Sequence, residues 1–498
     1  YLFASHSSGY WHSSNLKDWT YVATKTLKAV EAWAPALLIY KDALYYLGMG
    51  EERIYRSTAP EADKWEEVKF DNDGRVYLYH GCSDWAPIKG VEVDPENGFK
   101  KIGAEIDLIP HASDRLGWEV FGDKNDQHDK KGWNEAPCIT RQGDFYYLMY
   151  AAPGTEFTSY CTGVYVSKNP LGPYTCMPGA PFAIKAGGFI KGAGHGHPFK
   201  DRYGNDWYVA TIVVASKEHY ERRIGIFPAF YKDGYAHAIT EYMDFPFILP
   251  NKKVDFSQDQ ISAGMNLLSY NKQMKASSSL DTHQAKMATD EDVRTWWSAA
   301  SGKKGEWLQM DLGQPMDLSA LQISFSDEGF KTYRHDKNVP VYQYIVEGSL
   351  NGTDWQLLAD RSQNTKDQIY ELIVLDKKIK TQFVRIKNTK DFATGYFSIA
   401  DIRLFGNAKG KVPKQVSNFI VERNKDRRRI AFTWDKQPSV EGYVIRWGAS
   451  PEHIDNAIMV YDNQAEFGFF DRDMTYYMTI EAFNESGKSK SSTPIKIN

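Results

Sequence analysis

One strand-turn-strand unit occurs twice in the first third of the chain, and it constrains the fold more than any other feature. The first copy runs Trp33-Ala-Pro-Ala-Leu-Leu-Ile-Tyr, a polar turn at Lys41-Asp, then Ala-Leu-Tyr-Tyr-Leu. The second runs Trp133-Asn-Glu-Ala-Pro, a short apolar stretch, a turn at Arg141-Gln-Gly-Asp, then Phe145-Tyr-Tyr-Leu-Met-Tyr. Each pairs an apolar run with an aromatic one across a turn rich in Gly or Asp, which is a hairpin signal. Further aromatic strands at Val76-Tyr-Leu-Tyr-His and Trp207-Tyr-Val-Ala-Thr follow turns at Asp71-Asn-Asp-Gly and Arg202-Tyr-Gly-Asn-Asp. The units recur at irregular intervals of about 30 to 65 residues, which excludes a uniform repeat array. The expectation for residues 1–250 is an all-β, five-bladed β-propeller with Glu135 at its hub.

A chain of 498 residues exceeds what one core supports, so more than one domain is expected. Residues 251–262 are polar and read as a connector. Residues 264–407 carry a second β pattern, with the alternation Trp307-Leu-Gln-Met-Asp-Leu marking a half-buried strand. Lys409 to Lys414 reads as a linker, and residues 415–498 hold short strands spaced like those of a β-sandwich. The run Lys425-Asp-Arg-Arg-Arg is expected in a solvated hairpin turn.

Aromatic residues make up 14% of the chain, a share that suits strands and also suits stacking on sugar rings. A net charge of −4 gives no basis for nucleic-acid binding. No apolar run reaches the length of a membrane-spanning helix. Cys82, Cys138, Cys161 and Cys176 permit disulfides without requiring them. The chain opens at Tyr1-Leu-Phe-Ala-Ser inside a strand-like stretch, and further sequence upstream is expected.

Several segments, taken together and in order, resemble glycoside hydrolase family 43. They are Trp33-Ala-Pro, Asp71-Asn-Asp-Gly-Arg-Val-Tyr-Leu-Tyr, Glu135-Ala-Pro, Gly163-Val-Tyr-Val-Ser-Lys-Asn-Pro-Leu-Gly-Pro-Tyr and Gly192-Ala-Gly-His-Gly. Residues 264–407 resemble the factor 5/8 C-type (discoidin-like) carbohydrate-binding module, and residues 415–498 resemble fibronectin type III. The resemblance implies an inverting hydrolase that releases arabinose, xylose or related sugars from plant polysaccharide, of arabinofuranosidase or xylosidase type. It further implies a secreted or periplasmic bacterial enzyme whose C-terminal modules anchor it to polysaccharide.

Inversion needs a protonated acid and a carboxylate base roughly 6.5–9.5 Å apart. By the resemblance Glu135 is the general acid, His195 is the hub histidine that supports a structural calcium or the acid, and Arg222 contacts the sugar. Arg223 is the alternative to Arg222, and His197 is a weaker candidate than His195. Trp33 is a candidate stacking wall. The family's base, an Asp in an Asp-Pro motif, has no counterpart here. Its third carboxylate should lie about nine residues before the Gly of the Asp-Gly turn, and counting back from Gly74 lands on Trp65. Asp63 is two positions off, and Asp71 and Asp73 read as turn residues. These gaps leave a second reading open, a carbohydrate-binding propeller without catalysis. Trp296 and Trp297 are expected to be core residues of the discoidin-like module.

Overall fold

The computed structural model describes the chain except for residues 41, 50–52, 69–73, 95–96, 98, 214–222, 259 and 331–339. The structure is almost entirely β. Its first half is a propeller-type succession of small antiparallel sheets, each wound up and down in chain order. The first sheet holds Leu2–Phe3, Gly9–His12 and Thr20–Ala23, and the second Trp33–Tyr40, Ala43–Met49, Ile54–Ala59 and Lys64–Val68. The third holds Val76–His80, Ile88–Asp94 and Lys100–Ile109. The fourth holds Glu135–Gln142, Phe145–Ala152, Cys161–Ser167 and Thr175–Cys176. The fifth holds Lys191–Lys200, Asp206–Val213, Arg223–Lys232 and Tyr235–Ala238.

The repeat read from sequence is real at the backbone. In the second sheet the register slips between Trp33 and Ala36, and Ala34 takes a φ of 47°. In the fourth it slips between Glu135 and Cys138, and Ala136 takes a φ of 52°. A left-handed alanine is disfavoured and persists only where its surroundings hold it. The bulge turns the first residue of each strand out of the regular ladder. In the fourth sheet that residue is Glu135.

Residues 273–402 lie largely in one eight-stranded sheet built on two 19-residue strands, Trp307–Phe325 and Tyr370–Asn388. Trp307 to Leu312 alternate half-buried and buried, as their pattern predicts. Trp297 is fully buried and its indole N–H donates to Ser278 O and Ser279 Oγ, while Trp296 stacks on His283 at 4.3 Å. The C-terminal residues form two sheets, one of Ile420–Arg423, Ile430–Thr433 and Gln464–Phe467, the other centred on Gly442–Gly448 and Tyr476–Asn484. Trp434 meets Tyr443 between them at 5.0 Å.

These parts are not beads on a string. One continuous apolar core runs from Ile88 through the fourth and fifth sheets, the eight-stranded sheet and the C-terminal pair. The connector is packed, with Phe256 and Ile261 buried against Trp207. Beside it, Lys185 pairs with Asp244 at 2.7 Å and Arg403 with Glu291 at 2.6 Å, both buried, and Arg403 Nη2 reaches across to Asp244 O at 2.9 Å. Tyr461 OH donates to the same Glu291 from the C-terminal sandwich.

The basic run at 425–429 does lie in a hairpin, but solvation was the wrong expectation for its last two residues. Arg428 Nη1 donates to Ser113 O, and Arg429 Nη1 donates to Lys124 O and Asn125 O at 3.2 Å each. The guanidinium's fork of donors suits it to capture carbonyls on a neighbouring surface.

Candidate active site

Glu135 opens its strand half-buried, and its two oxygens have different neighbours. Tyr160 OH donates to Oε1 at 2.6 Å, and Cys82 Sγ lies 3.7 Å from Oε2. Burial, and after it the Glu135 carboxylate, pushes the Cys82 thiol up to about 11, so at neutral pH Cys82 is a weak donor rather than an anion. The ring of Tyr160 packs on the backbone of Gly194, where a Cβ would lie 2.4 Å from it. Only glycine leaves room for this phenol to reach the carboxylate. The Gly-His-Gly segment thus reaches the site through Tyr160, with His195 the next residue along, itself at a φ of 46° on a bulged strand.

Behind the acid lies a carboxylate that reading the sequence did not single out. Glu119, in the turn Gly117–Glu119, is 0% exposed. Its Oε1 accepts Tyr150 OH at 2.5 Å and Asn134 Nδ2 at 3.0 Å, and its Oε2 accepts the Ala112 N–H at 2.6 Å. His111 Nδ1 stands 3.7 Å away while its Nε2 contacts Gly132 O at 2.7 Å. Trp118 Nε1 completes the cluster on Tyr150 OH at 3.0 Å. Burial raises the Glu119 carboxyl above its ordinary range, and the hydrogen bonds it accepts work against that rise. Asn134 is bound on both sides. Its side chain is held by Glu119, and its backbone exchanges hydrogen bonds with Ser83 at 2.9 and 3.1 Å. Glu119 therefore braces the residue next to the acid. No motif marks it; a Glu within Leu-Gly-Trp-Glu-Val, among apolar neighbours, was the available signal.

Three tryptophans at strand starts and turns of these sheets are exposed. Trp133, two residues before the acid, is 43% exposed, and Trp33, at the matching place in the first repeat, is 42% exposed and meets His6 edge-on at 4.1 Å. Trp85 is 75% exposed, on a turn whose backbone N–H groups are held by Ser83 Oγ. Trp33 stays on its own sheet. His197 is turned to the Pro198 carbonyl, with Nδ1 at 2.7 Å. Arg222 lies outside the described residues, as do Asp71 and Asp73. Arg223 faces Asp367, in the connection before Tyr370–Asn388, where it offsets the rise that burial imposes on that carboxyl.

The search for a partner carboxylate ends on other chemistry. Asp63 is bound by Thr24 Oγ1, by Thr26 Oγ1 and by the Lys25 N–H, fastening one loop to another. Trp65, at the position nine before Gly74, is a buried core residue whose Nε1 donates to Tyr10 OH at 2.9 Å. Among the described residues no three His, Cys, Asp or Glu side chains converge to hold a metal ion.

Residues 1–235 match the model of glycosyl hydrolases family 43, and residues 273–402 match that of the F5/8 type C domain. The first stretch is thus similar to a family 43 glycosyl hydrolase domain and the second to an F5/8 type C domain, in that order along the chain. Among solved structures, it is similar to a glycoside hydrolase at 17% identity, covering 79% of this chain and 89% of that one, with a TM-score of 0.39. It is also similar to an endo-1,4-beta-xylanase from Bacteroides thetaiotaomicron at 22% identity, covering 47% and 87%, TM-score 0.38. A family 32 carbohydrate-binding module from C. perfringens, in complex with galactose, matches at 16% identity over 28% and 98%, TM-score 0.24. Among curated proteins none matches the chain.

Proposed function

We propose that the chain is an inverting glycoside hydrolase that releases arabinose, xylose or a related sugar from plant polysaccharide, with Glu135 as general acid. One observation carries this reading: Glu135 sits at a strand-opening bulge, held by Tyr160 and two residues after the exposed Trp133. A phenol that donates to one carboxyl oxygen fixes the side chain and leaves the other oxygen available for a proton. A carboxyl fixed in this way can stand against the glycosidic oxygen of a bound sugar, the position a general acid needs. Tryptophan faces beside it would cover the apolar face of a pyranose or furanose.

A secreted or periplasmic setting, and a fibronectin type III identity for residues 415–498, belong to the same proposal through the resemblance. So does calcium near His195. Calcium takes six to eight oxygen ligands, so with no described side-chain set around His195 it would be held through water.

Trp65 and Asp63 favour the second reading, a carbohydrate-binding propeller without catalysis, because core packing and loop fastening occupy the places where an orienting carboxylate was sought. A screen of 4-nitrophenyl α-L-arabinofuranoside, β-D-xyloside and β-D-galactoside separates the two. Turnover of one of them, abolished by Glu135→Gln, supports the enzyme. Binding of xylan or arabinan with no turnover of any supports the alternative.

A further inference from the structure

The turn that carries Glu119 does not stand by itself. Leu116 forms a β-bridge with Asp471 of the C-terminal sandwich. Gly117 N donates to Phe470 O at 2.9 Å, and Arg472 N donates to Arg115 O at 3.0 Å. Arg115 forks onto Asp471, with Nε 3.1 Å from Oδ1 and Nη2 2.6 Å from Oδ2. The Asp471 side chain is 0% exposed, and the paired carboxylate holds the Arg115 charge firmly on. A Cβ on Gly117 would lie 2.0 Å from Gly468 O and 2.8 Å from Phe470 O, so the two backbones meet with no side chain between them. Arg472 Nη1 adds a bond to Asp114 O at 3.0 Å, and Arg428 reaches Ser113 O.

The path from this contact to the acid is short and continuous. Asp471 holds Arg115; the Leu116 bridge sets the start of the turn 117–119; Glu119 at its end accepts the Asn134 amide; Glu135 follows Asn134. The fork is also a demanding contact on one side: Asp471 is fully buried while Arg115 is 40% exposed, so removing Arg115 leaves a desolvated carboxylate without its partner.

We propose that Arg115 and Asp471 are positioning residues for the general acid, so that the C-terminal sandwich is part of the active-site scaffold rather than a tethered anchor. The proposal rests on the reading of Glu135 as acid. Proton delivery tolerates little displacement of the donor, and supporting contacts that fix a catalytic side chain act through such distances.

The test uses the full chain and the aryl glycoside that the screen above finds to be turned over, as a pair: the 4-nitrophenyl glycoside with a good leaving group and the phenyl glycoside with a poor one. Asp471→Asn and Arg115→Lys are compared with wild type for kcat on both, with thermal unfolding measured alongside. The expected result is a loss of about 10- to 100-fold on the phenyl glycoside with a much smaller loss on the 4-nitrophenyl one. Arg115→Lys keeps the charge and loses the fork, so it covers the case in which Asp471→Asn does not fold. Equal losses on the two substrates, or unchanged kcat on both in a folded variant, overturn the proposal. Glu135→Gln is the control: if it shows no leaving-group dependence while the two variants do, the acid assignment falls rather than the coupling between sandwich and turn.

Discussion

The two copies of the strand unit share a backbone and differ in what surrounds them. Both slip register at an Ala-Pro, and both place the alanine in the left-handed region, at 47° and 52°. The first copy packs in a small cluster of its own around Tyr10, Tyr46, Tyr55 and Trp65, and leaves Ile39 78% exposed. The second copy is backed by the core that runs through the whole molecule, with Tyr147 to Ala152 buried without interruption. The same local sequence solution thus yields an exposed tryptophan in one place and a braced carboxyl group in the other. The copy proposed to carry the chemistry is the one whose surroundings hold its carboxyl group in place.

The comparison can be broken or sharpened by experiment. Glu135→Gln should lower kcat on a phenyl glycoside by roughly 10²- to 10⁴-fold and on a 4-nitrophenyl one far less, the range of a lost general acid. Equal losses would take the second copy out of the acid role. Trp65→Ala should destabilise the first copy by about 3–5 kcal/mol, the usual range for a buried tryptophan, read by urea unfolding. Were the two copies equally supported by the large core, the loss would be distinctly smaller.

Tyr150→Phe removes the hydroxyl that Glu119 and Trp118 share, and should cost about 1–3 kcal/mol because it leaves a buried indole N–H without a partner. The effect should ease at low pH. The sign follows from Glu119, whose folded carboxyl titrates above its unfolded value: its ionised form costs stability as pH rises through the folded range, and the cost disappears below the unfolded value, near 4.5. A pH-independent loss would mean that Glu119 holds no proton in this range. Ile39→Thr, on the exposed face of the first copy, should change stability by no more than about 0.5 kcal/mol. A larger loss in urea unfolding would show that Ile39 is covered in solution.

Much of this was legible in the chain. The paired hairpins, the polar turns and the Glu-Ala-Pro segment announced an all-β fold with Glu135 at a strand start, because period-two patterning and turn chemistry are local properties. Trp297 proved to be core, as its motif suggested. Glu119 was not legible, since nothing within a few residues of a buried carboxylate reveals that Tyr150, Asn134 and Ala112 will satisfy it from elsewhere. The basic run at 425–429 misled for a similar reason: a charge cluster in a hairpin is normally solvated, and only the docking of another module turned Arg428 and Arg429 inward.

The sequence by itself determined strands, turns and a repeated unit that carries Glu135 in one of its two copies. The tertiary structure decided which carboxylates face solvent, which are saturated, and that the C-terminal sandwich grips the turn behind the acid. Strand pattern is written in neighbouring residues. The state of a charge depends on everything within a few ångströms, and at this site those groups come from residues as far apart as 82, 119, 134, 150 and 160.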